Sequence, residues 1–208
     1  QRNHGRSPHA DTHSYEAMAG DLLEFIETHN LRDVNLLGHS MGGKTVMEFA
    51  AEHADLIEKL IVVDIAPVQY KIHHDQIFEG LQNVKLDQTK SRGQADKQLA
   101  EYVSEADVRM FLLKNLYRTP EKSFAWRMNL DVLEENLSTI SVPISSNEAI
   151  PMETLFIRGS RSNYVLDESL PKIEALFPNY QLETLEAGHW VHAEKPEEIF
   201  TLVNQFVG

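Results

Sequence analysis

The order of short apolar runs and amphipathic segments predicts an α/β fold. It is a mostly parallel, doubly wound sheet with helices on both faces, interrupted once by a helical insertion. Three observations carry this. Strand-like and helix-like segments alternate over residues 1–66 and again over 151–208, the pattern of a parallel sheet. The strand candidates Leu60-Ile61-Val62-Val63 and Thr154-Leu155-Phe156-Ile157 are nearly unbroken in apolar character, as strands covered on both faces are. Residues 67–150 show helical patches and no convincing strand.

Within the first block, Gln1 to Thr12 is a polar loop and Ser14 a helix N-cap. Met18, Leu22, Phe25 and Ile26 then share one helical face, and Asn30 is a helix stop. Val34-Asn35-Leu36-Leu37 reads as a short buried strand. Gly38 to Gly43 is a glycine-rich turn, and Lys44 to His53 is again helical. In the insertion, Ile77/Phe78/Leu81, Leu99/Tyr102/Val103, Val108/Phe111/Leu112 and Leu130/Leu133/Leu137 mark helices. The last block adds a helix from Asp167 to Leu176 and a strand from Gln181 to Leu185. A final helix opened by Pro196 carries Ile199, Leu202, Val203 and Phe206 on one side. The domain division that follows is a core of 1–66 and 151–208 with an insertion of 67–150.

Composition narrows the function classes. The chain has 208 residues and a formal net charge of −13, which repels a phosphate backbone and argues against nucleic acid as partner. It has no cysteine, so disulfides, thiolate catalysis and Cys-ligated zinc are excluded together. No apolar stretch reaches the roughly 20 residues a membrane span needs. The expected setting is cytoplasmic, the expected partner a small molecule, and a homodimer is compatible with the reading. The first residue is Gln1 rather than Met, and further residues upstream are expected.

The strongest local signal is Gly38-His39-Ser40-Met41-Gly42-Gly43-Lys44-Thr45, and it fits two patterns. From Gly38 to Gly42 it is G-x-S-x-G, a strand-to-helix turn that lifts a serine hydroxyl off the sheet edge. The Met41 backbone N–H then faces a bound oxyanion. From Gly38 to Thr45 it is also G-x-x-x-x-G-K-T, a phosphate-binding loop, and Asp64 at the end of the next strand resembles the acidic residue that accompanies one. The nucleophile reading is preferred because it explains more of the chain. A serine needs a base of pKa near 7, and His189 follows a predicted strand and Gly188 late in the sequence. The order Ser40, Asp64, His189 is that of a serine hydrolase triad on such a sheet. The phosphate-loop reading, an ATPase, remains the alternative.

Ten histidines are present. His39 and Trp190 flank the candidate nucleophile and base as supporting residues, and His192 supports the loop. His29, His53, His73 and His74 read as solvated surface. The acid is less direct. Gly159 to Tyr164, where many such enzymes carry it, contains no carboxylate. Asp64 ends an apolar run and needs a partner if buried. It is the candidate acid, against the alternatives of a turn cap at Ala66-Pro67 or of Asp167 as the acid. Ser162 is a candidate to fill the vacated acid position and bond the His–Asp pair.

Taken together, Arg2 to His9, the GHSMGGK turn, VVDIAPV at 62–68, the stretch from Gly159 to Val165 and GHWVHAEKPE at 188–197 resemble the α/β-hydrolase superfamily, in particular the YbfF-type bacterial esterases. The resemblance implies the α/β-hydrolase fold with a helical cap and hydrolysis of carboxylic esters or thioesters such as acyl-CoA. It favours Asp64 as acid. It also implies N-terminal strands and a second oxyanion donor upstream of Arg2, outside this sequence. No metal or organic cofactor is required. Phe78, Phe111, Leu112 and Trp126 are candidate acyl-lining residues, although packing within the insertion is the plainer role for most of them. Serine at position 40 argues against a haloalkane dehalogenase. A haloperoxidase or carbon–carbon hydrolase would share the same triad.

Overall fold

Strand β1 (Val34–His39) pairs in parallel with β2 (Ile57–Val63), and the chain that joins them is helix α2 (Met41–Glu52). This is the crossover that a parallel pair requires. Helix α1 (Tyr15–Thr28) precedes β1; the Ser14 hydroxyl caps it by accepting from the Ala17 N–H. Asn30, just past its end, takes φ 51°, the left-handed turn that stops a helix. These elements belong to a computed structural model that describes residues 1–71 and 75–208. His73 and His74 lie outside the described residues.

The remaining elements, in chain order, are α3 (Asp75–Asn83), α4 (Arg92–Leu99), α5 (Ala106–Leu112), β3 (Leu116–Arg118), β4 (Phe124–Trp126), α6 (Leu130–Glu135), α7 (Leu137–Ser141), β5 (Glu153–Gly159), α8 (Leu170–Leu176), β6 (Tyr180–Leu185), α9 (Val191–Glu194) and α10 (Pro196–Val207).

The chain divides into two compact units. One comprises Ser14–Tyr70 and Val142–Gly208. Its sheet has the order β1-β2-β5-β6, all pairs parallel. Alternate residues feed opposite cores. Leu60, Val62 and Phe156 pack with Ala19, Met47, Phe49, Ile173 and Phe177, whereas Ile61, Val63, Leu155 and Ile157 pack with Val191 and Phe206. Two-sided burial is why these strands read as continuous apolar runs. Within residues 1–208 β1 stands at one end of this strand order, with Leu37 48% exposed. Its other face, with Leu36, packs on the α1–α2 side.

The other unit comprises Gln1–His13 and Lys71–Ser141. Its core gathers Leu81, Val84, Leu99, Val103, Leu113, Leu116, Phe124 and Leu133, with Phe78, Leu112 and Trp126 packed against them. Phe111 is 41% exposed. The reading of residues 67–150 as strandless is corrected. β3 and β4 form an antiparallel hairpin, each strand three residues long and so too short to display a period. The partition also differs from the expected boundaries, since residues 1–13 group with 71–141. Asn3 accounts for this: it is fully buried, its Oδ1 accepts from Ala10 N–H and Asn129 Nδ2, and its carbonyl accepts from Asn129 N–H.

Phe156 is 1% exposed and rests edge-on against Phe177 and Tyr180. Phe156→Ala is expected to lower unfolding free energy by about 3–5 kcal/mol. Phe200→Ala, at a position 69% exposed, should change it by less than about 0.5 kcal/mol. Urea melts of both variants check this.

Candidate active site

The parallel register sets the site. His39, Val63 and Ile157 are successive partners across β1, β2 and β5, so the residues that follow them emerge at one edge. The ladder continues one step beyond: Ser40 N–H donates to the Val63 carbonyl (3.0 Å) and Asp64 N–H to the Ile157 carbonyl (2.8 Å). Strand C-terminal edges are where sheets of this kind present reactive groups.

Ser40 has φ 54° and ψ −123°, a conformation that stores about 1–3 kcal/mol of strain in a non-glycine residue. It is the sharp corner between β1 and α2. Gly38 permits the corner, because a Cβ there would sit 2.2 Å from the Gly42 carbonyl oxygen. Ser40 Oγ lies 2.9 Å from His189 Nε2, and His189 Nδ1 lies 2.7 Å from Asp64 Oδ2. A carboxylate only accepts, so Nδ1 carries the ring proton and Nε2 is left to accept from the serine hydroxyl.

Asp64 is completely buried and is met by three donors. Besides His189, the Gly159 N–H donates to Oδ1 at 2.9 Å and the Ser162 hydroxyl to Oδ2 at 2.5 Å. Asp167 is placed elsewhere, exposed and paired with Arg158 at 2.7 Å. The loops after β5 and β6 approach so closely at Gly159 that a Cβ would lie 2.3 Å from the Gly188 carbonyl oxygen.

The supporting residues surround the imidazole. His39 Nε2–H donates to the His189 carbonyl at 2.8 Å. Burial pulls the His39 pKa down to about 4, so its ring is neutral beside His189. Trp190 lies with its ring 5.5 Å from that of His189, and the exposed His192 stacks edge-on to His39 at 4.5 Å. Met41 opens α2, directly after Ser40. Three contributors escaped the sequence reading. Tyr164 stacks on His189 with ring centroids 4.1 Å apart. Tyr70 donates its hydroxyl to the Tyr164 carbonyl. Glu194 accepts from Gly188 N–H (2.9 Å) and Arg161 (2.7 Å), which ties the histidine loop to the loop after β5.

Lys44 decides the second reading of the glycine-rich turn. A phosphate-binding loop needs this ammonium at the ligand. Here it is fully buried, donating to the carbonyls of Val68 (2.7 Å) and Val142 and lying 4.8 Å from the Tyr70 ring centre. One turn on, the buried Glu48 accepts from Ser145 N–H (2.9 Å) and from its hydroxyl. The pair anchors the chain on both sides of the other unit's insertion point. Among the described residues no group of three or more His, Cys, Asp or Glu is arranged to hold a metal, and no helix is long and apolar enough to cross a membrane.

A parallel sheet with a strained serine between strand and helix, facing a histidine bonded to a buried aspartate, defines the α/β-hydrolase class. The family model described as the alpha/beta hydrolase fold matches residues 1–116, and the chain belongs to that family. It is 40% identical to the sn-1-specific diacylglycerol lipase ABHD11 of Mus musculus, over 99% of this chain and 69% of that protein. It is 36% identical to the esterase YbfF of Escherichia coli strain K12, over 99% of this chain and 80% of that protein. Among solved structures, a marine microorganism esterase superimposes with a TM-score of 0.95 at 42% identity, covering 99% of this chain and 82% of that one.

Burial lowers the Lys44 pKa from 10.5 to about 8. Between those values the unfolded chain holds a proton that the folded chain has released, so stability should rise with pH across that window. Lys44→Met removes this contribution. Unfolding titrations of the two proteins from pH 7 to about 10.5 should therefore differ in slope, with the native chain gaining on the variant as pH rises.

Proposed function

We propose that this chain is a serine esterase that hydrolyses carboxylic esters through an acyl-enzyme on Ser40, with His189 as general base and acid and Asp64 as its orienting carboxylate. The reading is supported above all by the 2.9 Å contact of Ser40 Oγ with His189 Nε2, backed by the 2.7 Å contact of Nδ1 with Asp64. It is supported as well by relatives named esterase and lipase.

The chemistry runs in two halves. Ser40 Oγ attacks the carbonyl carbon as its proton passes to His189 Nε2. The Met41 N–H, at the start of α2 where the helix dipole also favours negative charge, stabilises the oxyanion. Collapse breaks the bond to the leaving oxygen, which takes the proton from His189. Water then gives a proton to the same nitrogen and its oxygen attacks the acyl carbon. The second collapse frees the acid and returns the proton to Ser40. A leaving sulfur fits the same steps, and thioesters, acyl-CoA included, belong to the proposed substrate range.

Ser162 has a defined part in this scheme. With its 2.5 Å bond to Asp64 it holds the carboxylate in line with the ring, while Gly159 N–H holds the other oxygen.

Turnover of short p-nitrophenyl esters tests the assignment. Ser40→Ala should abolish it, and Asp64→Asn should lower kcat by about 10⁴-fold, because the histidine is then offered the wrong hydrogen-bond partner. Ser162→Ala, which leaves a buried carboxylate oxygen short of one donor, should lower kcat by about tenfold. Asp167→Asn should change kcat by less than about twofold, as an exposed ion pair contributes little. An Asp167 variant with the loss expected of the Asp64 variant would reverse the acid assignment.

A further inference from the structure

The hydrogen bonds of His189 lie in the plane of its ring and leave its two faces to be explained. The Tyr164 ring covers one of them, with centroids 4.1 Å apart and planes inclined by 28°. On its other sides the imidazole meets the rings of His39 at 4.7 Å and Trp190 at 5.5 Å. The charged and titratable groups around it are therefore Asp64 and Ser40 in the plane, Tyr164 on a face and His39 alongside, with His192 beyond His39.

Tyr164 is held by its backbone on both sides. Its N–H donates to Ser162 Oγ at 3.3 Å, and its carbonyl accepts the Tyr70 hydroxyl at 2.5 Å. That same Tyr70 oxygen accepts the Ala66 N–H at 2.8 Å, two residues beyond Asp64. The brace thus fixes the loop that carries Asp64 to the loop that carries Tyr164. Burial and the nearby Asp64 raise the pKa of the Tyr164 phenol, and the ring stays neutral.

The face of an aromatic ring is the negative end of its quadrupole and attracts a cation within about 6 Å. A neutral imidazole gains little from it and an imidazolium gains more. In the reaction proposed above, His189 becomes cationic as each transition state forms, so the contact with Tyr164 strengthens at that moment. Interactions of this kind raise kcat rather than lower KM. His39, neutral through its burial, sets no like charge against the imidazolium.

We infer that Tyr164 is a positioning residue acting through His189: its ring fixes the plane of the imidazole and favours its charged form. The inference rests on the esterase reading, since it assigns Tyr164 a part only if His189 is the base.

The test compares intact wild-type protein with Tyr164→Phe and Tyr164→Leu, reading p-nitrophenyl acetate turnover and the rate of fluorophosphonate labelling at Ser40. Phe keeps the ring; Leu keeps apolar cover without it. Tyr164→Phe should stay within about twofold of wild type in both rates. Tyr164→Leu should lose about tenfold in kcat and in labelling rate with KM within about twofold, and the acidic limb of its kcat/KM profile should move to lower pH. If Leu does not give folded protein, Tyr164→Met makes the same comparison. Leu or Met variants that match Phe, or that change KM alone, overturn this inference while leaving wild-type labelling at Ser40 intact. A wild-type protein that neither turns over ester nor labels at Ser40 overturns the esterase reading and this inference with it.

Discussion

The arrangement depends on a carboxylate that has no access to water. Asp64 is completely buried, and a charge so placed is tolerated only if its oxygens are hydrogen-bonded. The donors come from three parts of the chain: the end of β5 through Gly159, the following loop through Ser162, and the loop after β6 through His189. Satisfying Asp64 therefore draws these segments together at one sheet edge. With His189 held there, its second nitrogen is aimed at Ser40. The same contacts that make the buried charge acceptable also orient the imidazole.

Two local constraints keep that geometry narrow. The corner at Ser40 is strained and needs glycine at position 38, where any side chain would meet the Gly42 carbonyl. Gly159 lets the loops after β5 and β6 touch backbone to backbone. Glu194, bonded to Gly188 N–H and Arg161, and Tyr70, bonded to the Tyr164 carbonyl and Ala66 N–H, brace the loops from outside. The Lys44–Glu48 turn fixes backbone at Val68, Val142 and Ser145. The motif that resembled a phosphate loop has its lysine committed to structure.

How much of this could be read from sequence depended on whether the signal was local. G-x-S-x-G is a local demand of backbone geometry, and the parallel strands announced themselves because both faces are buried. Asp64 was legible because a carboxylate closing an apolar run must find a partner, and Ser162 because a usual carboxylate position was vacant. Tyr164, Tyr70 and Glu194 were not, since each acts through contacts that only the folded chain creates; the Tyr70–Tyr164 bond spans 94 positions. The grouping of residues 1–13 with 71–141 was hidden for the same reason, resting on Asn3 and Asn129, 126 positions apart. The β3–β4 hairpin was missed because strands of three residues carry no period.

The measurement closest to the central claim is the proton NMR spectrum of the protein in water, taken far downfield of the amide region. A proton held between His189 Nδ1 and the Asp64 carboxylate should give a resonance there that persists in Ser40→Ala and disappears in Asp64→Asn. A spectrum without that resonance, or one in which it survives Asp64→Asn, would contradict the account.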